Sequence, residues 1–197
     1  MQNYSPKFSG ILLAGGKSSR MGEDKAFISY GGQYLYDYSL SILKFFTTDI
    51  LVSSSNPRFD QTNYRRIEDE ITGIGPLGGI YTCLKYIKNQ SAIILPCDLP
   101  LITRKIVDIL LVNSNGYELT IALNPQNLPE PLIGIYSSAL IPVIDKMIDS
   151  NYFKMQELFS YVKTNFVKIH EAPPETFRNI NSPEDFNLLP HIENPLL

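Results

Sequence analysis

The chain has 197 residues, of which 44% are hydrophobic and 19% are charged, as expected for one globular domain with a substantial core. Its formal net charge of −3 argues against a general nucleic-acid surface, because such surfaces need clustered, uncompensated Lys and Arg. Its two cysteines, Cys83 and Cys97, are too few for a disulfide framework and lack metal-ligand spacing. Residues 1–10 hold no long apolar run, and no segment approaches the roughly 18 apolar residues of a membrane span. We therefore expect a cytoplasmic protein without membrane attachment.

Short apolar runs alternate with stretches in which apolar residues recur every three or four positions. The runs predict strands, and the spaced patterns predict helices. In chain order these are a strand at 10–14, a helix at 35–45, strands at 50–52 and 64–67, a helix at 77–87 that begins near Pro76, a strand at 92–95, a helix at 106–110 capped by Thr103, strands at 119–123 and 132–136, and helices at 140–148 and 155–162. Strands separated by helices need crossover connections. We predict a three-layer α/β domain, with a mostly parallel, Rossmann-like sheet covered by helices on both faces.

Four polar segments directly follow predicted strands, and they begin at Gly15, Ser53, Glu68 and Cys97. In an open parallel sheet, ligands bind beyond the carboxyl ends of the strands, where loops and helix N-termini converge. We therefore expect the four segments to share one crevice.

The first of these segments, residues 15–25, is called the glycine loop below. Its glycines allow backbone amides to approach phosphate oxygens closely, and Lys17, Arg20 and Lys25 supply positive charge. Glu23 and Asp24 offset part of this charge, so the loop is expected to select its ligand by geometry more than by bulk charge. The alternative is a simple glycine turn with solvated charges. Its position after the first strand favours phosphate binding.

Two other phosphate-binding motifs were considered. Residues 16–18 end like a Walker A loop, but the earlier glycine of that motif would fall at Ile11, which excludes it. Residues 73–78 fit the dinucleotide fingerprint G-x-G-x-x-G, and Asp98 follows about 20 residues later, where a ribose-binding acid is expected. Against this alternative, Pro76 removes an amide donor, and the preceding segment makes a poor buried strand. The fingerprint also leaves the glycine loop unexplained.

Asp98 directly follows the most apolar predicted strand, between Cys97 and Leu99. A carboxylate in that position is costly to desolvate unless a positive group meets it. Mg²⁺ held by one or two carboxylates and by substrate phosphates is a natural partner. The alternative is a capping or salt-bridged Asp, and the position at a strand's carboxyl end favours the metal.

Several short motifs occur together and in order along the chain. They are Leu13-Ala14-Gly15-Gly16, Arg20-Met21-Gly22, Asp24-Lys25, Gly75-Pro76-Leu77-Gly78-Gly79, Cys97-Asp98-Leu99-Pro100 and Asn179-Ile180-Asn181-Ser182-Pro183-Glu184-Asp185. With these motifs the chain resembles the molybdenum cofactor guanylyltransferases, the molybdopterin-guanine dinucleotide biosynthesis protein A family. A glycine loop with Arg and Lys is shared by many nucleotidyltransferases, whereas the combination of motifs is specific.

This resemblance implies a fold of the nucleotide-diphospho-sugar transferase type and a particular reaction. The terminal phosphate of molybdopterin attacks the α-phosphorus of GTP, which gives the guanine dinucleotide cofactor and pyrophosphate. It implies one nucleotidyltransferase domain over residues 1–197, whose N-terminal half binds the nucleotide and whose C-terminal half binds the acceptor. Gly15 and Gly16 favour guanine, because the related cytidylyltransferases tend to carry Ala at one of these positions.

The resemblance also assigns roles to individual residues. GTP would be bound by Leu13, Ala14, Gly15, Gly16, Lys25, Ser53, Asp69, Pro76, Leu77 and Asp98. Arg20, Lys25 and Asp98 would be catalytic, and Asp98 would also bind the cofactor Mg²⁺. Asn179 and Asn181 would bind the acceptor. Ser53 stands where the family often has Asn. Asn181 or Ser182 could instead cap a helix that begins at Pro183.

The expected partners are GTP and a molybdopterin-type cofactor as substrates, together with other proteins that make or accept the molybdenum cofactor. Neither nucleic acid nor a membrane is expected as a partner, and the protein is expected to be monomeric. Two alternatives remain open. The chain could transfer a nucleotide to another phosphorylated acceptor, as cytidylyl and sugar-phosphate enzymes do, or it could bind nucleotide or a partner without catalysis.

Overall fold

The computed structural model describes residues 8–15, 24–170 and 172–189. The strands are β1 (Phe8–Leu13), β2 (Ser29–Tyr30), β3 (Gln33–Tyr34), β4 (Ile50–Ser53), β5 (Arg65–Ile67), β6 (Ser91–Pro96), β7 (Leu119–Leu123), β8 (Pro129–Ser137) and β9 (Thr164–Lys168). The α-helices are α1 (Leu35–Phe46), α2 (Pro76–Leu84), α3 (Arg104–Val112), α4 (Ile141–Asp149), α5 (Met155–Tyr161) and α6 (Pro183–Phe186). Short 3₁₀ helices span Lys25–Phe27, Pro57–Gln61, Ser138–Leu140 and Pro174–Phe177.

Seven strands form one sheet in the order β5-β4-β1-β6-β8-β7-β9, and β2 and β3 form a separate small hairpin. β8 runs antiparallel to both of its neighbours, and the other six strands of the sheet are parallel to one another. The predicted mostly parallel sheet is therefore confirmed.

Apolar side chains leave the sheet alternately on its two faces, as the period of two along a strand requires. On one face, Leu12 and Val52 join a core with α1 and α3. On the other face, Ile11 and Leu51 join a core with α2, α4 and α5. This arrangement confirms the three-layer architecture.

The predicted strands and helices all occur, but the structure adds or shifts several. β9, the β2–β3 hairpin and the short 3₁₀ helices were not predicted. β8 begins at Pro129, three residues before the predicted start. Helix α2 ends at Leu84 instead of reaching residue 87. Among the helices in the part of the chain that is described, none is long and apolar enough to cross a bilayer.

The reversed strand β8 contains an irregularity that bears on the ligand-binding edge. Ile121 pairs with Gly134, but the next residue, Ala122, pairs with Glu130, so residues 131–133 bulge out of the ladder. The buried Tyr136 hydroxyl donates a hydrogen bond to the Pro131 carbonyl across 2.5 Å, which holds the bulge. Bulges commonly redirect side chains beside functional sites.

Gly134 permits a close approach between β7 and β8 at the foot of this bulge. A Cβ atom there would lie 2.6 Å from the Thr120 carbonyl oxygen and 2.9 Å from Ile121 Cδ1. The first of these atoms belongs to the backbone of a central strand, so it cannot move aside cheaply. By contrast, a Cβ at Gly10 in β1 would meet only side-chain atoms, at 3.3 to 3.4 Å.

We therefore predict that Gly134→Ala lowers the free energy of unfolding by about 1–3 kcal/mol, as other overpacked sites do. The matched variant Gly10→Ala should lower the free energy of unfolding clearly less, because the side chains around Gly10 can move aside. Urea unfolding of the two variants and the unmodified protein would measure both effects. Equal stability of Gly134→Ala and the unmodified protein would show that the strands can separate without cost.

Candidate functional site

The candidate site lies where the chain order of the strands reverses. The chain passes from β1 outward to β4 and β5, and then returns to place β6 on the other side of β1. Open α/β sheets bind ligands in the crevice at such a switch point. The backbone ties the three strand ends together there: the Ala14 amide donates to the Ser53 carbonyl (2.9 Å) and the Cys97 amide to the Leu13 carbonyl (3.0 Å).

A cleft of about 540 Å³ opens at this edge. Its size lies within the usual range for small-molecule sites. It is lined by Leu13, Gly15, Lys25, Ser53, Ser54, Ser55, Glu68, Asp69, Thr72, Gly73, Gly75, Pro76, Gly79, Pro96, Cys97, Asp98 and Leu132. All four polar segments that follow predicted strands contribute to this wall, so the structure brings them together as expected.

Lys25 and Asp98 form an ion pair in the floor of the cleft, between the Lys25 ammonium and Asp98 Oδ2. Lys25 begins a short 3₁₀ helix, and Asp98 follows β6. The ammonium also donates to Asn181 Oδ1 at 3.3 Å. Asp98 is only 8% exposed, so the positive charge offsets much of the cost of burying its carboxylate. The pair thus joins segments from three distant parts of the chain.

Asp69 lies on the opposite wall, after the edge strand β5. Its Oδ1 accepts a hydrogen bond from the Ser53 hydroxyl at 3.1 Å. Burial raises the pKa of the Asp69 carboxyl above its usual value, and the Ser53 hydroxyl offsets part of that increase. A ligand that donates hydrogen bonds to this carboxylate would replace the water that burial removes.

The first turn of helix α2 approaches this carboxylate closely, and a glycine-rich turn leads into the helix. Gly73 and Gly75 adopt positive φ angles of 82° and 69°, which glycine tolerates best. A Cβ at Gly79 would lie 2.3 Å from Ser53 Oγ and 3.2 Å from Asp69 Oδ1, so a larger residue would displace the Ser53 hydroxyl that bonds Asp69. Pro76 occupies the first turn of α2, where its missing amide hydrogen is not needed.

The dinucleotide alternative for residues 73–78 does not agree with this arrangement. The strand before these glycines, β5, is a three-residue strand at the edge of the sheet. A dinucleotide fingerprint instead follows a strand at the switch point. Here that position belongs to β1, which leads into the glycine loop.

The C-terminal motif packs against the same floor. The amide of Ile180, a fully buried residue, donates to the Asp98 carbonyl at 2.9 Å. Asn181 reaches Lys25, whereas Asn179 is exposed. Ser182 caps helix α6 in a capping box with Asp185, as the alternative for this segment predicted. Hydrogen bonds from the amides of Asn181 and then Ser182 lower the pKa of the Asp185 carboxyl. One motif therefore provides both a helix cap and a side chain in the site.

The remaining predicted residues are distributed as follows. Gly16 and Arg20 lie outside the described residues, so their roles stay predictions. The side chains of Ala14 and Leu77 are buried, and Leu77 belongs to the core beneath α2. Cys97 lines the cleft, but burial, and then the neighbouring Asp98, raise the pKa of its thiol far above the usual range.

The acidic residues of the cleft can be compared with the ligand set that a metal ion needs. Within residues 8–15, 24–170 and 172–189, no three His, Cys, Asp or Glu side chains form a group that could hold a metal by protein ligands alone. Mg²⁺ commonly needs only one or two carboxylates together with substrate phosphates. Asp98 Oδ1 is buried and lacks a hydrogen-bond partner among the described atoms. Asp98 therefore offers this carboxylate oxygen to an Mg²⁺ ion whose other ligands would come from substrate phosphates.

Several residues that line the cleft were not predicted from the sequence. Leu132 lines it because β8 runs antiparallel and its bulge lies at the ligand-binding edge. Sequence periodicity gives no strand direction, so this residue carried no usable signal. Thr72 and Gly73 were missed for a different reason: they follow Asp69 by only three and four residues, and the glycine-rich spacing that begins at Gly73 could have pointed to them.

Residues 10–163 match the family model described as MobA-like NTP transferase domain. A relative from Carboxydothermus hydrogenoformans named probable molybdenum cofactor guanylyltransferase is 31% identical, over 90% of this chain and 92% of its own length. A relative of the same name from Halalkalibacterium halodurans is 34% identical, over 90% of this chain and 95% of its own length.

Solved structures provide a second comparison. Molybdopterin-guanine dinucleotide biosynthesis protein A from Archaeoglobus fulgidus aligns with a TM-score of 0.77 at 19% identity, covering 92% of this chain and 96% of its own. The 2-C-methyl-D-erythritol 4-phosphate cytidylyltransferase from Thermus thermophilus aligns with a TM-score of 0.71 at 13% identity. The alignment covers 92% of this chain and 96% of the cytidylyltransferase. At such low identities these likenesses establish the fold alone, and they confirm its nucleotide-diphospho-sugar transferase type. Together with the family model and the full-length relatives, they confirm the resemblance found in the sequence: the chain belongs to the family of MobA-like NTP transferase domains.

Proposed function

We propose that the protein transfers GMP from GTP to molybdopterin, forming the guanine dinucleotide form of the molybdenum cofactor and releasing pyrophosphate. The names of relatives that align over nine-tenths of the chain support this choice of substrates. The observation that carries the proposal is the cleft at the switch point, where Lys25, Asp69 and Asp98 line one cavity. The cleft offers the Lys25 ammonium to phosphates, and it holds a buried Asp98 oxygen that lacks a hydrogen-bond partner among the described atoms.

The reaction needs no protein nucleophile. A phosphate monoester with a second pKa of about 6 is already largely dianionic at neutral pH. Its oxygen attacks the α-phosphorus of GTP, the bond from that phosphorus to the bridging oxygen of the β-phosphate breaks, and pyrophosphate leaves with the bonding electrons. The site has to align two anions and neutralise their charge, which are the main contributions of protein groups to phosphoryl transfer.

We assign roles to the residues of the site as follows, with those of residues 16–23 taken from the sequence alone. Lys25 neutralises the triphosphate, together with Arg20 and the amides of the glycine loop. Ser53 and Asp69 hold the nucleoside end, on the wall opposite Lys25. Asn179 and Asn181 meet the acceptor, and Asn181 already lies within hydrogen-bond distance of Lys25.

Residues at the end of β1 and at the start of α2 are assigned to guanine selection. Leu13 and Gly15 line the cleft directly, whereas Ala14 contributes through its backbone, because its side chain is buried. Pro76 lines the cleft at the start of α2, and the buried Leu77 holds that helix start in place.

When bound, Mg²⁺ held by Asp98 would neutralise charge that develops on the reacting phosphates.

The substrates are tested by supplying each nucleoside triphosphate with Mg²⁺ and either molybdopterin or a sugar phosphate, and then measuring pyrophosphate. We expect release only when GTP and molybdopterin are both present. Release with CTP, or with a sugar phosphate as acceptor, would replace this function by another nucleotidyl transfer. Nucleotide binding without pyrophosphate release from any pair would indicate a non-catalytic module.

Asp98 provides a sharper test of the site. We predict that Asp98→Asn lowers kcat by about 10²–10³-fold, the usual cost of removing one group that stabilises charge in the transition state. Asn keeps the shape of the side chain, so the melting temperature checks that the fold remains. The control is Asp108→Asn, which removes an exposed carboxylate 3.7 Å from Arg104 on the surface of α3. Near-normal turnover by Asp98→Asn would remove this residue from the mechanism.

Asp69 should show opposite effects on stability and binding. Burial raises its pKa in the folded state above its pKa in the unfolded state. At pH values above both, the ionised carboxylate therefore lowers the stability of the native state. We predict that Asp69→Asn increases the free energy of unfolding at pH 7 and weakens GTP binding. The gain in stability should shrink as pH falls towards about 3.9, the usual pKa of Asp, because the carboxyl then becomes neutral in both states.

Urea unfolding at several pH values and calorimetric titration with GTP would measure the two effects. Asp108→Asn again serves as the control. A destabilised Asp69→Asn variant would show that the Asp69 carboxylate holds the fold together, which would contradict its assignment as a ligand-binding group.

A further inference from the structure

Two short 3₁₀ helices pack against each other, and neither belongs to the sheet. One spans Lys25–Phe27 and supplies Lys25, and the other spans Pro57–Gln61 after β4. Phe27 and Phe59 pack with their ring centroids 4.7 Å apart. The Arg58 guanidinium lies over the Phe27 ring, 3.9 Å from its centroid. The two helices therefore pack as one unit, although about 30 residues separate them in sequence.

The residues that cap these helices are bonded to each other. Asp24 caps the first helix, since its Oδ1 accepts from the Ala26 amide at 3.0 Å. Asn56 caps the second, since its Oδ1 accepts from the Arg58 amide at 2.9 Å. The remaining atoms of the two caps meet: Asn56 Nδ2 donates to Asp24 Oδ2 at 2.7 Å.

This contact lies directly beside two functional segments. Asp24 immediately precedes Lys25 and immediately follows residues 16–23 of the glycine loop. The backbone amide of Asn56 donates a hydrogen bond to Ser54 Oγ at 3.1 Å, and Ser54 lines the cleft next to Ser53. The Asn56–Asp24 bond thus connects the wall formed after β4 to the residue that carries the cleft's cation.

We propose that Asn56 is a positioning residue, which holds Asp24 so that the Lys25 ammonium is presented to the triphosphate beside Asp98. The proposal rests on the proposed function only in requiring that Lys25 binds nucleotide phosphates. Two independent caps would not need to touch each other. A hydrogen bond to an ionised carboxylate is also stronger than one between neutral groups, which suits it to fixing a backbone position.

The pair can be tested by exchanging its two residues. In Asn56→Asp, two carboxylates would face each other where an amide now meets a carboxylate, and like charges repel. In Asp24→Asn, an amide that keeps its cap on Ala26 would turn its NH₂ group towards Asn56, donor against donor. In the double variant, the amide at position 24 donates to the carboxylate at position 56, and both caps remain.

The exchange separates positioning from helix capping. Asn and Asp are nearly equivalent as N-caps, so all three variants keep two good caps and are expected to fold. If Asn56 and Asp24 acted only as caps, every variant would therefore bind GTP about as tightly as the unmodified protein. If Asn56 positions Lys25 through Asp24, each single variant should bind GTP more weakly, and the double variant should regain the affinity.

We expect each single substitution to raise the Kd for GTP with Mg²⁺ by about tenfold, the effect of one charge-assisted hydrogen bond. The double variant should return to within about threefold of the unmodified protein, on the same scale. In the transfer assay, the single variants should raise KM for GTP more than they lower kcat, because Lys25 binds the phosphates before and during reaction. Melting temperatures should stay within about 4 °C, which excludes global loss of structure.

Gln61→Glu is the matched control, because it adds a carboxylate at the exposed end of the same helix, five residues after Asn56. Its Kd should stay unchanged. The proposal is overturned if the single variants bind GTP normally, if the double variant binds no better than they do, or if Gln61→Glu weakens binding equally. An unmodified protein that binds no nucleoside triphosphate would overturn it as well. Because binding needs no acceptor, a failed transfer to molybdopterin would overturn the proposed function without affecting this test.

Discussion

The candidate site depends on one carboxylate that is buried beside one ammonium group. Asp98 is placed by the most apolar strand of the sheet, so hydration cannot stabilise its charge. Lys25 supplies the compensating charge, and Ile180 binds the backbone of the same residue. A buried ion pair of this kind contributes little net stability, since desolvation offsets much of the attraction. Its effect is to fix which segments meet, and one Asp98 oxygen is left without a partner among the described atoms.

Much of this arrangement could be predicted from the sequence. The apolar runs located the strands, and the rule that ligands bind at strand ends then grouped Gly15, Ser53, Asp69 and Asp98 correctly in one cleft. The direction of a strand leaves no trace in its periodicity, so Leu132 could not be assigned. The pairing of Asn56 with Asp24 depends on how two loops pack, and loop packing follows from tertiary contacts that no local pattern encodes.

The cleft is built at some cost to the stability of the fold. Asp69 is kept charged where burial favours its neutral form, and Asp98 keeps a buried oxygen that lacks a partner within the described part of the chain. Gly79 leaves room for the Ser53 and Asp69 side chains where a larger residue would fill the space. Each of these features lowers stability locally and leaves a group available to a ligand. Such conflicts with ordinary folding preferences are typical of functional sites.

The contact between the Ile180 amide and the Asp98 carbonyl has a consequence for the synthesis of the protein. The strands that form the nucleotide end of the cleft, β1, β4, β5 and β6, are complete by Pro96, whereas the segment that closes the floor comes more than 80 residues later. On the ribosome, the first half can therefore begin to pack while its cleft still lacks one side. A nascent chain would acquire its complete cleft only as the last part of the sequence emerges, so premature termination would leave an open, incomplete cleft.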